Sequence, residues 1–313
     1  MKSGEIAIDD LPGGLDLYRT LESGQSYCWR REDGEMYGGV RAPGAWYDTV
    51  VDGGFANEVS DGSEGVSASV EVVRVRQRDG LLEWQSTTDA DALVRRLLRL
   101  EDDLERIVAD APDDPLLREA YETHHGLRLV EDPPFPTLIS FICSAQMRVR
   151  RIHGMVSTLA REYGDEVAFD GKTYHAFPTP DQLAQATEAE LRDLGLGYRA
   201  PYVVRTAEMV ASGEAHPGEA RALPYEDARE YLTQFVGVGE KVADCVLLFS
   251  LGFDEAVPLD TWIRAAIEEH YPDCDGGNYA DTSRAIRERF GGRHAGYAQT
   301  YVFHHLRTGA APE

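Results

Sequence analysis

The hydrophobic period of this chain changes once, and that change limits its fold more than any other feature. From Ile6 to about Ser86, short apolar runs are broken by Gly, Asp and Pro, and VSASVEVVRVRQ (66–77) alternates apolar and polar residues as a strand with one wet face does. From Asp89 onward, ALVRRLLRLEDDLERIVAD places apolar residues three and four apart, the spacing of a helix with one buried stripe. The fold class that follows is α+β, a sheet-rich N-terminal unit with flanking helices over residues 1–120 followed by a helical unit over 121–313. At 313 residues and 42% hydrophobic content, each unit has enough apolar material for a core.

Local signals fill in this plan. DGGFANEVSDGSEG, Asp52 to Gly65, reads as a solvated loop between strands. EDPPFPTLISFICSAQ starts a buried helix near Pro136, and TPDQLAQATEAELRDLGLG reads as two short helices with Thr caps and a glycine stop. Nearly everything after residue 89 is expected to be helix or turn. There is no internal repeat.

Charge narrows the partners less than it first promises. The chain carries 55 acidic and 31 basic residues, a net charge of −24, and only three of the basic residues are lysine: Lys2, Lys172 and Lys241. An acidic surface argues against nucleic acid at ordinary salt. High acidity with few lysines also fits a halophile's cytoplasm, where molar salt screens charge beyond roughly 3 Å. Local sites must therefore decide. MKSGEIAIDD lacks the basic region and apolar run of a signal peptide, and the longest apolar stretch, around Cys245 to Phe253, is too short for a bilayer. A cytoplasmic protein is the expectation. Cys28, Cys143, Cys245 and Cys274 are scattered and fit neither a disulfide framework nor a zinc or iron–sulfur spacing.

The local site is FVGVGEKVADC (235–245). It reads as a tight turn with Gly237 and Gly239 between two helices, and the first turn of the second helix, through Val242, offers unpaired N–H groups to an anion such as phosphate. A plain packing corner would look similar. Lys241 sits in that first turn, where the helix dipole disfavours an ammonium ion. A nucleophilic amine must be able to lose its proton, which arginine cannot do, so an arginine-rich chain would still need lysine here. Nineteen positions on, AVPLDTWIRAAIEEH places Asp260 at a helix start after Pro258. Its plain role is an N-cap, and a capped carboxylate is also a rigid one, suited to stabilise developing positive charge.

With these residues in place, the chain resembles the helix-hairpin-helix DNA glycosylases, and more narrowly their 8-oxoguanine DNA glycosylase/AP lyase branch. GVGEKVADC followed by VPLD carries the signature, and LESGQSYCWR, SFICSAQMRVRRIHGMV, LGLGYRAPYV and HAGYAQTYVFHHLR extend the resemblance over both units in order. It implies a TBP-like antiparallel N-terminal domain and a helical glycosylase domain. It also implies a monomer that acts on oxidised guanine in double-stranded DNA, without a cofactor, iron–sulfur cluster or membrane. Lys241 would attack C1′ and form a Schiff base that β-elimination resolves by nicking the strand; Asp260 would stabilise the transition state. The carbonyl of Gly24 would accept the N7–H that distinguishes 8-oxoguanine from guanine, Gln299 would read the Watson–Crick edge, and Cys245 and Phe303 would sandwich the ring beside Pro258.

By the same resemblance, Gln146 would fill the hole left by the extruded base, Tyr198 would wedge the duplex, and Arg151 and Arg199 would hold the opposite cytosine. Gly237, Gly239 and Val242 would meet DNA phosphate. Backbone carbonyls of Thr233, Phe235 and Val238 would hold a structural monovalent cation. Three positions depart from the family pattern: Gln146 stands where an asparagine-rich run is usual, Val236 replaces a hairpin proline, and Trp262 replaces a phosphate-contacting histidine. Two other readings compete, a monofunctional alkyl-base glycosylase in which Lys241 is incidental, and a non-catalytic DNA-binding module.

Overall fold

The computed structural model describes residues 1–57 and 70–309. Five antiparallel strands, β1 (Lys2–Ala7), β2 (Arg30–Arg31), β3 (Tyr47–Val51), β4 (Glu71–Arg78) and β5 (Leu81–Ser86), form one sheet in the order β1-β5-β4-β3-β2. β4 and β5 pair from Val73↔Ser86 to Arg78↔Leu81. Their two-residue turn is Asp79-Gly80, with φ of 52° and 80°, the backbone that a twisted hairpin demands and that Asp-Gly supplies at low cost.

Helices cover one face of the sheet and continue to Gly309. In chain order they are α1 (Leu17–Glu22), α2 (Gly53–Asn57), α3 (Asp91–Leu97), α4 (Leu104–Ala109), α5 (Pro115–Thr123), α6 (Pro134–Cys143), α7 (Val149–Tyr163) and α8 (Pro180–Leu183). There follow α9 (Glu188–Asp193), α10 (Ala200–Ala211), α11 (Tyr225–Leu232), α12 (Glu240–Ser250), α13 (Thr261–His270), α14 (Tyr279–Arg289) and α15 (Ala295–Gly309). Thr179 and Thr187 each close a capping box, with Gln182 and Glu190 returning the bond, as the Thr spacing predicts. Among the described residues the main apolar core runs from Ile6 to Val302, through Val73, Val75 and Trp84 of the sheet and Leu138, Ile139, Val246 and Leu247 of α6 and α12. Arg128 staples its edge: the buried guanidinium donates to the carbonyls of Gly14, Arg99, Asp102 and Pro12 at 2.8–3.0 Å.

Three expectations need correction. The outer face of β4 is not wet, because a second hairpin, β6 (Glu166–Phe169) and β7 (Lys172–His175), packs Phe169 and Tyr174 against Val72. Arg74 on that face is also buried, its guanidinium 4.8 Å from the centre of the Trp46 ring. That hairpin likewise interrupts the run of helix and turn expected after residue 89. Finally, the loop expected over 52–65 begins as α2, capped where Asp52 Oδ1 accepts from the Phe55 N–H at 2.9 Å, with Phe55 buried under Arg96. Residues 58–65 of that loop and 66–69 of the alternating run lie outside the described residues.

Candidate active site

The hairpin between α11 and α12 assigns different work to its two glycines. Gly237, at φ +86°, lets α10 come close: a methyl there would lie 2.8 Å from the Tyr202 ring. Gly239 has open space around the position of a Cβ and is the N-cap of α12, with no side chain capping the first turn. The N–H groups of that turn, through Val242, therefore remain available to an anion.

Lys241 follows directly and is half-buried. Its Nζ lies 3.4 Å from Ser144 Oγ and 5.5 Å from the centre of the Phe141 ring, both contributed by α6 and its C-cap. One turn later, burial pushes the Cys245 thiol up to about 12, against the opposing charge of Lys241, so Cys245 is a neutral, apolar wall at physiological pH. Asp260 is the N-cap of α13, and its Oδ1 accepts from the N–H of Trp262 at 2.9 Å and of Ile263 at 2.8 Å. Burial raises its pKa from the ordinary value, while those two bonds and the charge of Lys241 favour the carboxylate. Cap and fixed charge are thus one residue.

These groups share a cleft of about 1400 Å³. Gly24, Gln146, Gly237, Gly239, Lys241, Val242, Cys245, Pro258, Asp260, Gln299 and Phe303 all line it, although they come from five separate stretches of chain. Gln299 and Phe303 are one turn apart on α15, and Gln299 is buried. Gly24 sits opposite at φ +99°, where a methyl would stand 3.4 Å from Phe303 Cε1. A narrow slot therefore separates a glycine turn from an aromatic ring. In a chain of net charge −24, Arg148, Lys241, Arg264 and Arg307 meet a single carboxylate, Asp260, around this cleft. The cleft is built for an anion despite the acidic whole.

The remaining expected residues stand at the rim of the cleft or beside it. Gln146 is exposed at its rim in the left-handed region, φ +55°, a conformation that costs a non-glycine residue about 1–2 kcal/mol and often marks function. Tyr198 is 54% exposed. Arg199 is buried, stacked 4.4 Å from the centre of the Tyr198 ring, and donates to the Ala145 carbonyl, so in this structure it holds the loop bearing Gln146. Arg151 is exposed and reaches the Gly195 carbonyl at 3.5 Å. Among the described residues no group of His, Cys, Asp and Glu could hold a metal, and no helix is long and apolar enough to cross a membrane.

Residue-level reading missed Ser144, Phe141, Tyr27 and Arg307, all of which line the cleft. Arg307 carried a usable signal, since it follows Gln299 and Phe303 at intervals of four on one helix.

The chain is similar to known proteins over most of its length. Residues 10–138 match the model of the 8-oxoguanine DNA glycosylase N-terminal domain, and residues 139–291 that of the HhH-GPD superfamily base excision DNA repair protein. A probable N-glycosylase/DNA lyase of Methanothermobacter thermautotrophicus is 33% identical, with 94% of each chain covered. The N-glycosylase/DNA lyase of Saccharomyces cerevisiae is 31% identical over 86% of this chain and 71% of its own. The crystal structure of Clostridium acetobutylicum 8-oxoguanine glycosylase/lyase, in complex with double-stranded DNA containing cytosine opposite 8-oxoguanine, superimposes with a TM-score of 0.77 at 27% identity, covering 94% of this chain and 92% of that one.

Proposed function

Because the chain belongs to the 8-oxoguanine DNA glycosylase/AP lyase family of the helix-hairpin-helix superfamily, we propose that it excises 8-oxoguanine from duplex DNA, preferably opposite cytosine, and then nicks the strand. The observation that carries this reading is the convergence of Lys241, Asp260 and the Gly24/Cys245/Gln299/Phe303 slot in one cleft lined by four cations and a single carboxylate.

The chemistry follows from those positions. The damaged nucleotide rotates out of the duplex and its base enters the slot, a step that costs a few kcal/mol of unstacking. Gln146, strained at the rim, fills the space it leaves. The Lys241 amine attacks C1′ through its lone pair, the bond from C1′ to the base nitrogen breaks, and the base departs with the electron pair and takes up a proton. Asp260 stabilises the positive charge that develops on the sugar. The amine then opens the sugar to a Schiff base; loss of a C2′ proton expels the 3′ phosphate. Ser144 is placed to orient the Lys241 amine throughout.

Backbone contacts at Gly239 and the first turn of α12 supply grip without reading sequence. A monovalent cation on the hairpin carbonyls belongs to the same proposal: the Phe235 carbonyl accepts the Val238 N–H at 3.1 Å and keeps a second lone pair for such an ion. So do the monomeric state and a molar-salt setting, in which neutralising about four phosphates weakens binding roughly 10³–10⁴-fold per tenfold rise in salt. Packing and N–H contacts then carry more of the affinity.

The test is base release and strand nicking on duplexes with 8-oxoguanine opposite each of the four bases. Excision that is fastest opposite cytosine, with nicking, supports the reading. Release of alkylated bases without nicking would replace it with the monofunctional one.

A further inference from the structure

Gly24 stands on a turn, residues 22–26, that is bonded on nearly every side. The buried Glu22 carboxylate accepts from Arg31 Nη1 at 2.7 Å, the Tyr47 hydroxyl at 2.8 Å and the Tyr37 N–H at 2.7 Å. Gln25 donates to the carbonyls of Thr20 and Arg128 and accepts from the Val130 N–H. Ser26 donates to Asp132, and its carbonyl accepts from the Tyr37 hydroxyl. Between these anchors, no hydrogen bond among the described residues ends on the Gly24 carbonyl. The turn is held on both sides of this free acceptor.

All of those anchors lie N-terminal to residue 133, whereas the opposite wall of the slot, Gln299 and Phe303, belongs to α15. Tyr301 of α15 donates to the Leu127 carbonyl at 2.7 Å, beside the Arg128 anchor, but among the described residues one hydrogen bond joins α15 to the turn itself: Arg307 Nη2 donates to the Glu22 carbonyl at 2.8 Å. The same guanidinium lies 5.5 Å from the centre of the Phe303 ring, and a methyl on Gly24 would stand 3.6 Å from its Nη1. Its helix neighbour His304 is kept neutral, driven to about 2 chiefly by burial and then by the charge of Arg307, so His304 Nδ1 can accept from Nη2 at 3.2 Å. Arg307 thus rests on one wall and grips the other.

Building on the proposed function, we infer that Arg307 is a positioning residue that sets the width of the base slot, and with it how strictly the Gly24 carbonyl discriminates 8-oxoguanine from guanine. It acts through the Glu22–Gly24 turn and Phe303. Without the cross-link, the turn and α15 are joined only by packing, and a shift of a few tenths of an ångström weakens a hydrogen bond more than it weakens stacking.

The test compares affinities for two duplexes, one bearing 8-oxoguanine and the other 7-deaza-8-oxoguanine, in which a C–H replaces the N7–H, each opposite cytosine. It is run in the Lys241→Gln chain, so that no chemistry follows binding. With Arg307 present, the 8-oxoguanine duplex is expected to bind about 10-fold tighter than the deaza duplex. Arg307→Met should bring that ratio close to one, weakening the first duplex about 10-fold and the second less than about threefold, and Arg307→Lys should restore part of the ratio. Equal losses on both duplexes, or none on either, overturn the inference and leave Arg307 as packing alone. Should Arg307→Met fail to fold, Arg307→Lys decides: a ratio reduced at least about threefold supports the inference, and an unchanged ratio overturns it. A chain that retains Arg307 yet neither discriminates the duplexes nor, with Lys241 intact, nicks 8-oxoguanine DNA would sink the proposed function itself.

Discussion

Replacing Gly24 by alanine puts the slot under a defined load. At φ +99° an L-residue is strained, at a cost of about 1–3 kcal/mol. The new methyl would lie 3.1 Å from Val149 Cγ1 and 3.4 Å from Phe303 Cε1, tight against the first and in ordinary contact with the second. The turn could relieve the strain by rotating, but that would break the bonds of Gln25 and Ser26, and each buried group left unpaired costs about 1–3 kcal/mol. Holding the strain is therefore cheaper than relaxing it. The expected result is a loss of about 1–3 kcal/mol of stability, a Tm lower by roughly 2–5 °C. The methyl also narrows the slot beside the Phe303 ring, so single-turnover excision of 8-oxoguanine should fall about 10–100-fold, equivalent to about 1.4–2.7 kcal/mol. Calorimetry and a single-turnover assay read both quantities. A variant with native Tm and native excision would show that the turn is soft, and the argument from its anchors would be wrong.

Two further outcomes follow from buried and strained groups. Asp244 accepts from the Tyr225 and Tyr279 hydroxyls, each at 2.7 Å, and burial pushes its carboxyl from 3.8 up to about 7. A raised acid contributes stability that is complete below the unfolded value and is lost as pH climbs through the folded one, so this contribution fades between about 4 and 7 and amounts to about 4 kcal/mol at most. Asp244→Asn should flatten the fall in Tm between pH 5 and pH 8; an unchanged slope would refute burial as the cause. Gln146→Gly removes the left-handed strain at the rim, so Tm should move by less than about 2 °C, as relief offsets the added flexibility of glycine. Excision should still fall about tenfold, because nothing then fills the hole, and full activity would remove Gln146 from the mechanism.

Where local chemistry and fold coincide, the sequence was legible. The Thr179 and Thr187 caps, the Asp260 cap and the glycine turn before Lys241 are short-range devices, and each stands where its spacing puts it. The β6–β7 hairpin was equally short-range and was overlooked: Asp170-Gly171, with φ of 48° and 72° between alternating residues, is the same turn as Asp79-Gly80. What a single chain cannot show is which face another segment will cover. The outer face of β4 looked wet because the hairpin that covers Val72 on it is about 100 residues away in sequence. Gly237 looked like a point of approach for a ligand, and it is one of approach for Tyr202. Arg199 looked free to meet a base; stacking on Tyr198 and the pull of the Ala145 carbonyl bury it. The meeting of Gly24 with Phe303, 279 positions apart, came from the family resemblance and not from any pattern in the residues themselves.

A nucleophilic Lys241 passes through a Schiff base that borohydride reduces to a permanent protein–DNA bond. The native chain and Lys241→Gln are incubated at molar salt with a duplex carrying one 8-oxoguanine opposite cytosine, and covalent protein–DNA adducts are counted. A native adduct that disappears in Lys241→Gln is the predicted result. Base release by both proteins without an adduct in either would contradict it.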